Sequence, residues 1–402
     1  MSIELERFGE GGMDRHLIIS TDGHAGLPMA GYREYLDSKY HSQFDEALAV
    51  QIERTRLAEE AFLISDFNRE WRQGIEAGLT GAWDSNMRNK VIDEDGIVAE
   101  VLFPDGITEM NAPPFGADLE LRPDTVVPEL QWAGARAHNR WITEFCADNP
   151  LRRIGLAIIP MFWGVEAALE EVKSAYKNGL KGILIPALIG DNPGYNDVKY
   201  HPVWAFCEEH GMVVHTHSGP AAKYDMHAPG AMGVFLTEFA WWAARPIWYM
   251  IFGGVFEKFP RLKFCITEVS EFWVPSMLEM MDVRASVRHT SGKLGDYRSH
   301  LTMKPSEYFR RNCYVSASAH FDEGSTAVRH EIGINNIMWG SDYPHPEGSW
   351  PNTRRKLIET LGPLPAAEVE LILSTNAIRC YDLDKSALAA IAAKIGPLKS
   401  EF

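Results

Sequence analysis

Short apolar, β-branched runs recur along the chain and are separated by longer stretches with helical periodicity. Eight such runs occur, at His16–Thr21, Val98–Phe103, Ile154–Ile159, Gly182–Ile185, Met212–Thr216, Lys263–Thr267, Cys313–Ser316 and Asn336–Trp339. Alternation of strand and helix predicts a parallel sheet with helices packed outside it. Eight strands in this alternation predict an α/β fold, the (β/α)8 TIM barrel.

The intervening stretches contain amphipathic helices. Val165–Asn178 and Tyr200–His210 carry apolar residues at helical spacing, and Gly179 and Gly211 follow them at the position that favours a glycine C-cap. We expect these helices to form part of the outer ring. The alternative is an open doubly wound sheet, which would need a glycine-rich phosphate loop after the first strand. The segment TDGHAGLP at that position is not such a loop.

The chain is expected to form one barrel domain over residues 1–402, with two additions. Residues 28–95 do not fit a single helix, and we expect a mostly helical insertion after the first strand. In a barrel this connection lies at the catalytic face, so the insertion would form a lid or a wall of the substrate pocket. Residues 363–402 are expected to form helices that pack on the barrel.

Composition excludes several classes of protein. The chain has 402 residues, of which 46% are hydrophobic, and this is ample for a large core. The 39 basic and 55 acidic residues leave a net charge of −16 without a basic cluster, so nucleic acid is not an expected partner. Five widely spaced cysteines predict neither a disulfide framework nor a cysteine zinc site. With no signal-like run at the N-terminus, these features favour a cytoplasmic location.

The most apolar stretch is Phe239–Phe256, which Arg245 and Pro246 interrupt. This interruption argues against a membrane span, and no membrane association is expected. We interpret the stretch as a helix that is buried or lies at an interface.

Residues of metal-ligand type stand at the ends of four predicted strands. They are Asp22 and His24 after the first strand, His215 and His217 at the fifth, Glu268 after the sixth and Asp342 after the eighth. The carboxyl ends of barrel strands converge on one site, and residues two apart on a strand point the same way. Carboxylates mixed with imidazoles suit Zn²⁺, Mn²⁺ or Fe²⁺. Each element alone is common for structural reasons, but their coincidence predicts a divalent transition metal.

Longer motifs resemble the amidohydrolase-2 branch of the metal-dependent amidohydrolase superfamily, which is similar to the aminocarboxymuconate-semialdehyde decarboxylase group. The motifs are Asp22-Gly23-His24, GAWDSNMRNKVIDEDGIVAEVLFP (81–104), FGGVFEKFPRLKFCITEVSEFWVP (252–275), PSEYFRRNCYVS (305–316) and IMWGSDYPHPEGSWPNTR (337–354). The resemblance extends from about Asp14 to Leu383. It implies a distorted barrel, a metal at the strand ends, and a hydrolase, nonoxidative decarboxylase or hydratase.

The resemblance also implies roles for individual residues. Asp22, His24, His217 and Asp342 match the branch's metal ligands, and Asp342 can in addition take a proton from bound water. His215 is an extra histidine in this comparison. Glu268 stands where better-known members carry histidine, so it could be a ligand, a base or a group that orients an imidazole. One ion per chain is favoured, although Glu268, His215 and His345 could hold a second.

Three hypotheses for the function follow. The first is hydrolysis of an amide, ester, thioester or carbon–carbon bond in a fairly large hydrophobic or aromatic acid, with Asp342 as base and His345 or His215 protonating the leaving group. The alternative is nonoxidative decarboxylation or hydration of a small aromatic acid. The third is a catalytically inactive barrel that only binds or assembles, and the presence of the ligand types argues against it.

The substrate is expected to be a small molecule in each enzymatic case. Arg245 and His320 are candidates to contact it. The abundance of aromatic residues and the expected lid favour a larger substrate and, with it, hydrolysis. A homodimer is expected from the resemblance, and residues 241–250 (WWAARPIWYM) are the candidate interface.

Overall fold

Eight parallel strands form one sheet in chain order in the computed structural model, which describes residues 14–61, 75–105, 111–124, 126–225, 228–286, 293–318 and 323–402. The strands are β1 (Ile19–Ala25), β2 (Ala99–Pro104), β3 (Arg153–Ile158), β4 (Gly182–Leu184), β5 (Val213–His217), β6 (Phe264–Thr267), β7 (Cys313–Ala317) and β8 (Ile337–Trp339). A parallel bridge between Gly23 and Tyr343, which follows β8, joins the two edges. The predicted (β/α)8 TIM barrel is confirmed.

Alternate residues of each strand belong to two different apolar clusters. Val101 and Phe103 of β2 and Leu156 of β3 lie in a cluster inside the barrel. Leu102 and Ala157, their neighbours in sequence, lie in the larger cluster between the strands and the outer helices. The strands are buried on both faces, as the near-continuous apolar runs in the sequence indicate.

Helices of eight or more residues follow the strands in the described part of the chain. They are α1 (His41–Ala61), α2 (Ser85–Glu94), α3 (Pro128–Ala147), α4 (Val165–Lys177), α5 (His201–His210), α6 (Ala231–Phe252), α7 (Val274–Ser286), α8 (Pro305–Asn312), α9 (Thr353–Leu361) and α10 (Lys385–Ile395). Shorter helical segments are Glu76–Leu79, Val255–Lys258, Glu323–Ala327, Arg329–Ile332, Ala366–Glu370, the π-helical Leu371–Thr375, and Asn376–Tyr381. None of the helices described is both long and apolar enough to cross a membrane.

The described part of the connection between β1 and β2 is mostly helical. The 3-10 turns Met29–Tyr35 and Ser38–Tyr40 lead into α1, and Thr80–Ala82 precedes α2. Met29, Tyr32 and Phe44 of this segment pack in one apolar cluster against α3. The segment is therefore anchored to the barrel beside the carboxyl ends of the strands.

Strand β1 is longer than predicted and carries a bulge. Ser20 pairs with Glu100 and Gly23 pairs with Leu102, so β1 contains one residue more than β2 between these two pairs. A bulge of this kind bends the strand and redirects a side chain, and such bulges are common beside functional sites. Asp22 and His24 consequently belong to the strand itself rather than to a turn after it.

The apolar stretch around Trp241 forms most of α6. Ala243, Ile247 and Met250 are buried against the barrel, whereas Trp241 is 38% exposed. All five cysteines are buried and form no disulfide.

Candidate metal centre

Four side chains from three parts of the barrel meet at its carboxyl end. Asp22 and His24 come from β1, His217 comes from the end of β5, and Asp342 follows β8. Nε2 of His24 lies 3.1 Å from Oδ1 of Asp342 and 3.4 Å from Oδ1 of Asp22. Nε2 of His217 lies 3.3 Å from the same Asp22 oxygen. All four side chains are buried.

The arrangement fits a divalent cation. Bonds of about 2.1 Å to a shared ion place neighbouring ligand atoms about 3.0–3.4 Å apart. Several atoms of this set have no hydrogen-bond partner among the described residues, namely Asp22 Oδ2, His24 Nδ1, His24 Nε2 and Asp342 Oδ2. Buried polar atoms are rarely left without a partner, and these atoms fit the donor set of a bound cation. Two carboxylates with two imidazoles suit a transition metal better than Ca²⁺ or Mg²⁺.

The backbone fixes the orientation of the candidate ligands. Nδ1 of His217 lies 3.1 Å from the Ser218 carbonyl, and this hydrogen bond orients the ring so that Nε2 faces the site. The Asp342 amide donates to the Asp22 carbonyl at 2.8 Å. Asp342 itself has a φ of 57°, a conformation that non-glycine residues adopt mainly where the surrounding structure enforces it.

Charge interactions within the site shift the pKa values of its members. Burial lowers the pKa of His217, but the Asp22 carboxylate outweighs this effect and raises it to about 9. Burial works in the opposite direction on Asp22, and the charge of His217 holds the net pKa of Asp22 below its ordinary value. For Asp342, the charge of His345 overcomes the effect of burial, so its pKa is also lowered. Both carboxylates are therefore ionised at neutral pH, as metal ligands must be.

His345 and Glu268 lie next to this set and are less deeply buried. Nδ1 of His345 is 3.0 Å from Asp342 Oδ1, and its ring lies 3.9 Å from that of His24. Glu268 follows β6 with a φ of 58° and accepts a hydrogen bond from the Ser218 hydroxyl. Its side chain is 16% exposed, whereas those of Asp22, His24 and Asp342 are fully buried.

The surroundings of Glu268 favour its protonated form. Burial and then the negative charge of Asp342 raise the pKa of Glu268 to about 7. A carboxyl group with this pKa can donate a proton near neutral pH. Glu347 was not among the predicted site residues, yet its carboxylate lies within reach of those of Glu268 and Asp342. The only signal for it was its place two residues after His345 in the loop that follows β8.

A buried ion pair between α2 and β2 contacts the backbone of β1. Arg88 of α2 donates to both carboxylate oxygens of Glu100 at 2.7 and 2.8 Å, and to the His24 carbonyl at 2.7 Å. Its guanidinium also lies over the Tyr343 ring, 4.5 Å from the centroid. Sequence reasoning missed this pair because nothing in the spacing of Arg88 and Glu100 places them opposite each other.

His215 does not reach the site, contrary to the prediction that it assists catalysis or holds a second ion. It stands two residues before His217, so the rise of the strand places it about 7 Å deeper in the barrel. Both of its ring nitrogens are engaged there: Nε2 lies 2.9 Å from the Tyr381 hydroxyl, and Nδ1 lies 3.2 Å from the Ile183 carbonyl. Burial lowers the pKa of His215 to about 3, so it is a neutral core residue.

The two residues predicted to contact the substrate are not found at the candidate metal centre among the described residues. Arg245 lies on α6, where its guanidinium is 5.3 Å from the centre of the Tyr249 ring. It borders a surface cavity with Asn196 and Phe252 that includes none of the candidate ligands, so the structure does not bring Arg245 to the candidate metal centre. His320 lies outside the described residues.

Comparisons with known proteins agree with the fold. The family model described as Amidohydrolase matches residues 119–383, more than half of the chain. A 2-amino-3-carboxymuconate-6-semialdehyde decarboxylase from Dictyostelium discoideum is 24% identical over 307 residues, covering 76% of this chain and 78% of the relative. A gamma-resorcylate decarboxylase from Polaromonas sp. is 28% identical over 291 residues, covering 69% of this chain and 81% of the relative.

Solved structures give the same picture of the fold. A dihydroxybenzoic acid decarboxylase from Polaromonas sp., solved with bound manganese and the inhibitor 2-nitroresorcinol, superimposes with a TM-score of 0.61 at 18% identity, covering 93% of this chain and 99% of that one. The family model, the relatives and the barrel geometry converge, and the chain belongs to the amidohydrolase-2 branch of the amidohydrolase superfamily.

Proposed function

We propose that this protein is a metal-dependent, nonoxidative decarboxylase of hydroxyaryl carboxylic acids. The observation that carries the proposal is the position of Glu268, a carboxyl group at the rim of a ligand set that is otherwise sealed from solvent. Decarboxylation needs an acid that protonates carbon, and we assign this task to Glu268. The relatives that carry a reaction in their names are decarboxylases, which supports this alternative over the hydrolysis expected first.

Asp22, His24, His217 and Asp342 are the proposed ligands, and Glu268 is the proposed acid. A bound divalent ion would supply a positive charge that holds the substrate carboxylate and stabilises negative charge on an adjacent hydroxyl oxygen. Manganese is the first ion to test because a related structure contains it.

Glu268 supplies the proton for this reaction, and the electron pair comes from the bond that breaks in the substrate. Glu268 donates its proton to the ring carbon that bears the carboxylate. The bond from that carbon to the carboxyl carbon breaks, its electron pair returns to the ring, and CO2 leaves. The Glu268 carboxylate regains a proton from water at its exposed side. His345, which is hydrogen-bonded to Asp342, lies where it can donate to a substrate oxygen.

The test is CO2 release by manganese-loaded protein from a set of 2-hydroxybenzoates, with Glu268→Gln as the variant. We expect Glu268→Gln to retain its metal and to lose decarboxylation by about 100-fold or more, which is the usual contribution of a general acid. Asp342→Asn is the contrasting variant, because we expect it to lose the metal as well. A second readout is exchange of the product's ring hydrogen in D2O, which requires the same acid but no CO2.

Two results would overturn the proposal. One is hydrolysis of aryl esters or amides by metal-loaded protein that releases no CO2 from any hydroxybenzoate. The other is a Glu268→Gln variant with full metal content and unchanged hydrogen exchange, which would remove Glu268 from the protonation step.

A further inference from the structure

A large cavity opens beside the candidate metal centre. It has a volume of about 930 Å³ and includes Ser218 and Gly219 after β5 and Asp105 after β2. The Ser218 hydroxyl donates to Glu268, and His217 directly precedes it, so the floor of the cavity adjoins the reacting groups. We refer to this space as the mouth cavity.

The walls of the mouth cavity come from the β1–β2 connection, the segment after β2 and the start of α3. Met29 and Gln51 line it from the first of these, and Pro114, Phe115 and Leu130 line it from the other two. Phe115 packs edge-on against Phe44 of α1, with ring centres 6.4 Å apart. The wall is thus built into the apolar cluster that anchors α1 to α3.

The mouth cavity is much larger than a single aromatic ring requires. A cavity of about 150 Å³ is enough to bind benzene. After a benzoate-sized group has taken its place at the ligands, most of the 930 Å³ remains for another part of the substrate. Most of the described lining residues are apolar, so this part is expected to be apolar too.

Charge further restricts what the mouth cavity accepts. Asp105, Asp118 and Glu120 contribute carboxylates, and none of the lining residues within the described ranges is basic. Arg122, next to this wall, forms an ion pair with Glu120, so the charge of Glu120 is compensated. Asp118 Oδ1 accepts hydrogen bonds from the amides of Glu120 and Leu121 at 2.9 and 3.3 Å, which fixes this carboxylate at the wall. Like charges placed together are strongly unfavourable, so a negatively charged group beside Asp118 would be repelled.

We infer that the substrate is a hydroxyaryl carboxylic acid with an apolar chain that fills the mouth cavity and ends in a neutral or positively charged group. This inference rests on the proposed function and specifies its substrate class. Simple hydroxybenzoates and acids conjugated to phosphate-bearing carriers would both be poorer substrates, the first for lack of contacts and the second for repulsion.

The test compares three acids on manganese-loaded protein: 2,6-dihydroxybenzoate, its 4-heptyl derivative, and a derivative whose chain ends in a carboxylate. We expect kcat/KM for the heptyl acid to exceed that for the unsubstituted acid by about tenfold or more, because each buried methylene adds to binding. The chain that ends in a carboxylate should lose most of this gain, and Asp118→Asn should restore part of it.

Leu130→Trp fills the cavity and should reduce the ratio of kcat/KM between the heptyl and unsubstituted acids by about tenfold. Val127→Trp, at the 58% exposed edge of the same wall, is a second variant in case the first does not fold. Val50→Trp adds the same indole at a position of α1 that is 53% exposed and does not line the cavity, so this control should keep the wild-type ratio.

The measured ratio of kcat/KM between the heptyl and unsubstituted acids decides whether the mouth cavity binds an apolar chain. A wild-type ratio near one, or a ratio that both cavity-filling variants leave unchanged, overturns the inference. If no acid releases CO2, the proposed function fails, and the same comparison is made by calorimetry with resorcinol and 5-heptylresorcinol as ligands. Tighter binding of the heptyl compound that is lost in Leu130→Trp then supports the mouth cavity, and equal binding of both compounds overturns it.

Discussion

Replacing Arg88 with methionine should destabilise the protein strongly. Arg88 and Glu100 are both fully buried, and their two hydrogen bonds of 2.7 and 2.8 Å form a bidentate pair. Arg88→Met removes both hydrogen bonds to the buried Glu100 carboxylate and leaves the His24 carbonyl without its donor. Removing one partner of a buried pair costs about 3–5 kcal/mol, because the remaining charge stays buried.

This cost can be converted into a change in melting temperature. Unfolding entropy of about 2.1 cal/mol/K per residue over 402 residues gives about 0.8 kcal/mol/K. The variant should therefore unfold about 4–6 °C below the wild type in a thermal scan. Arg355→Met is the matched control, because Arg355 pairs with Glu359 on the surface with both side chains more than half exposed. Its effect should stay below about 1 kcal/mol.

The double variant Arg88→Met, Glu100→Met separates the ion pair from the rest of the packing. Two apolar side chains remove the uncompensated charge, so the double variant should be less destabilised than the sum of the single variants by at least about 2 kcal/mol. Additive effects in urea unfolding would refute the reasoning, since they would mean that the two charges do not stabilise each other.

Three other predictions concern different parts of the molecule. Asp342→Asn should fold normally but bind far less metal, and wild-type metal content by elemental analysis would exclude Asp342 as a ligand. Burial lowers the pKa of His138 to about 3. Below about pH 6.5 the unfolded chain therefore binds a proton that the folded protein does not, and the free energy of unfolding should be about 2 kcal/mol lower at pH 5 than at neutral pH. A His138→Gln variant should show a shallower loss of stability with acid in urea titrations, and an unchanged slope would contradict this. Gly134→Ala should destabilise α3 by about 1–3 kcal/mol, because the new Cβ would lie 2.0 Å from the Pro114 carbonyl oxygen. Gly233→Ala, with nothing within 4 Å, should instead stabilise α6 by about 0.5–1 kcal/mol, and equal effects at both positions in thermal unfolding would refute the steric argument.

The sequence predicted the architecture because the barrel strands are buried on both faces. Apolar runs such as Ile154–Ile159 stand out against amphipathic helices, and chain order in a barrel equals spatial order. The same logic placed Asp22, His24, His217 and Asp342 at strand ends that must converge, and the structure brings these four side chains together.

The sequence could not show how deep a side chain lies in the barrel or which part of the molecule a helical side chain faces. His215 and His217 share one face of β5, but only the three-dimensional barrel shows which layer holds the site and which holds the core. Arg245 lies within a stretch rich in aromatic residues, yet in the structure it borders a surface cavity that includes none of the candidate ligands. The bulge in β1 was also invisible, because it depends on how β1 pairs with β2 rather than on the residues of β1 alone.

The single bridge between Gly23 and Tyr343 has a consequence for how the protein is made. The candidate ligands lie on both sides of this seam, near residue 22 and at residue 342, so a nascent chain cannot assemble the site until almost all of it has left the ribosome. An ion that binds only the closed barrel stabilises it by mass action, and that stabilisation acts across the joint with the fewest strand pairs. Metal binding would then be the last step of folding. Protein made without the metal would open first between β1 and β8.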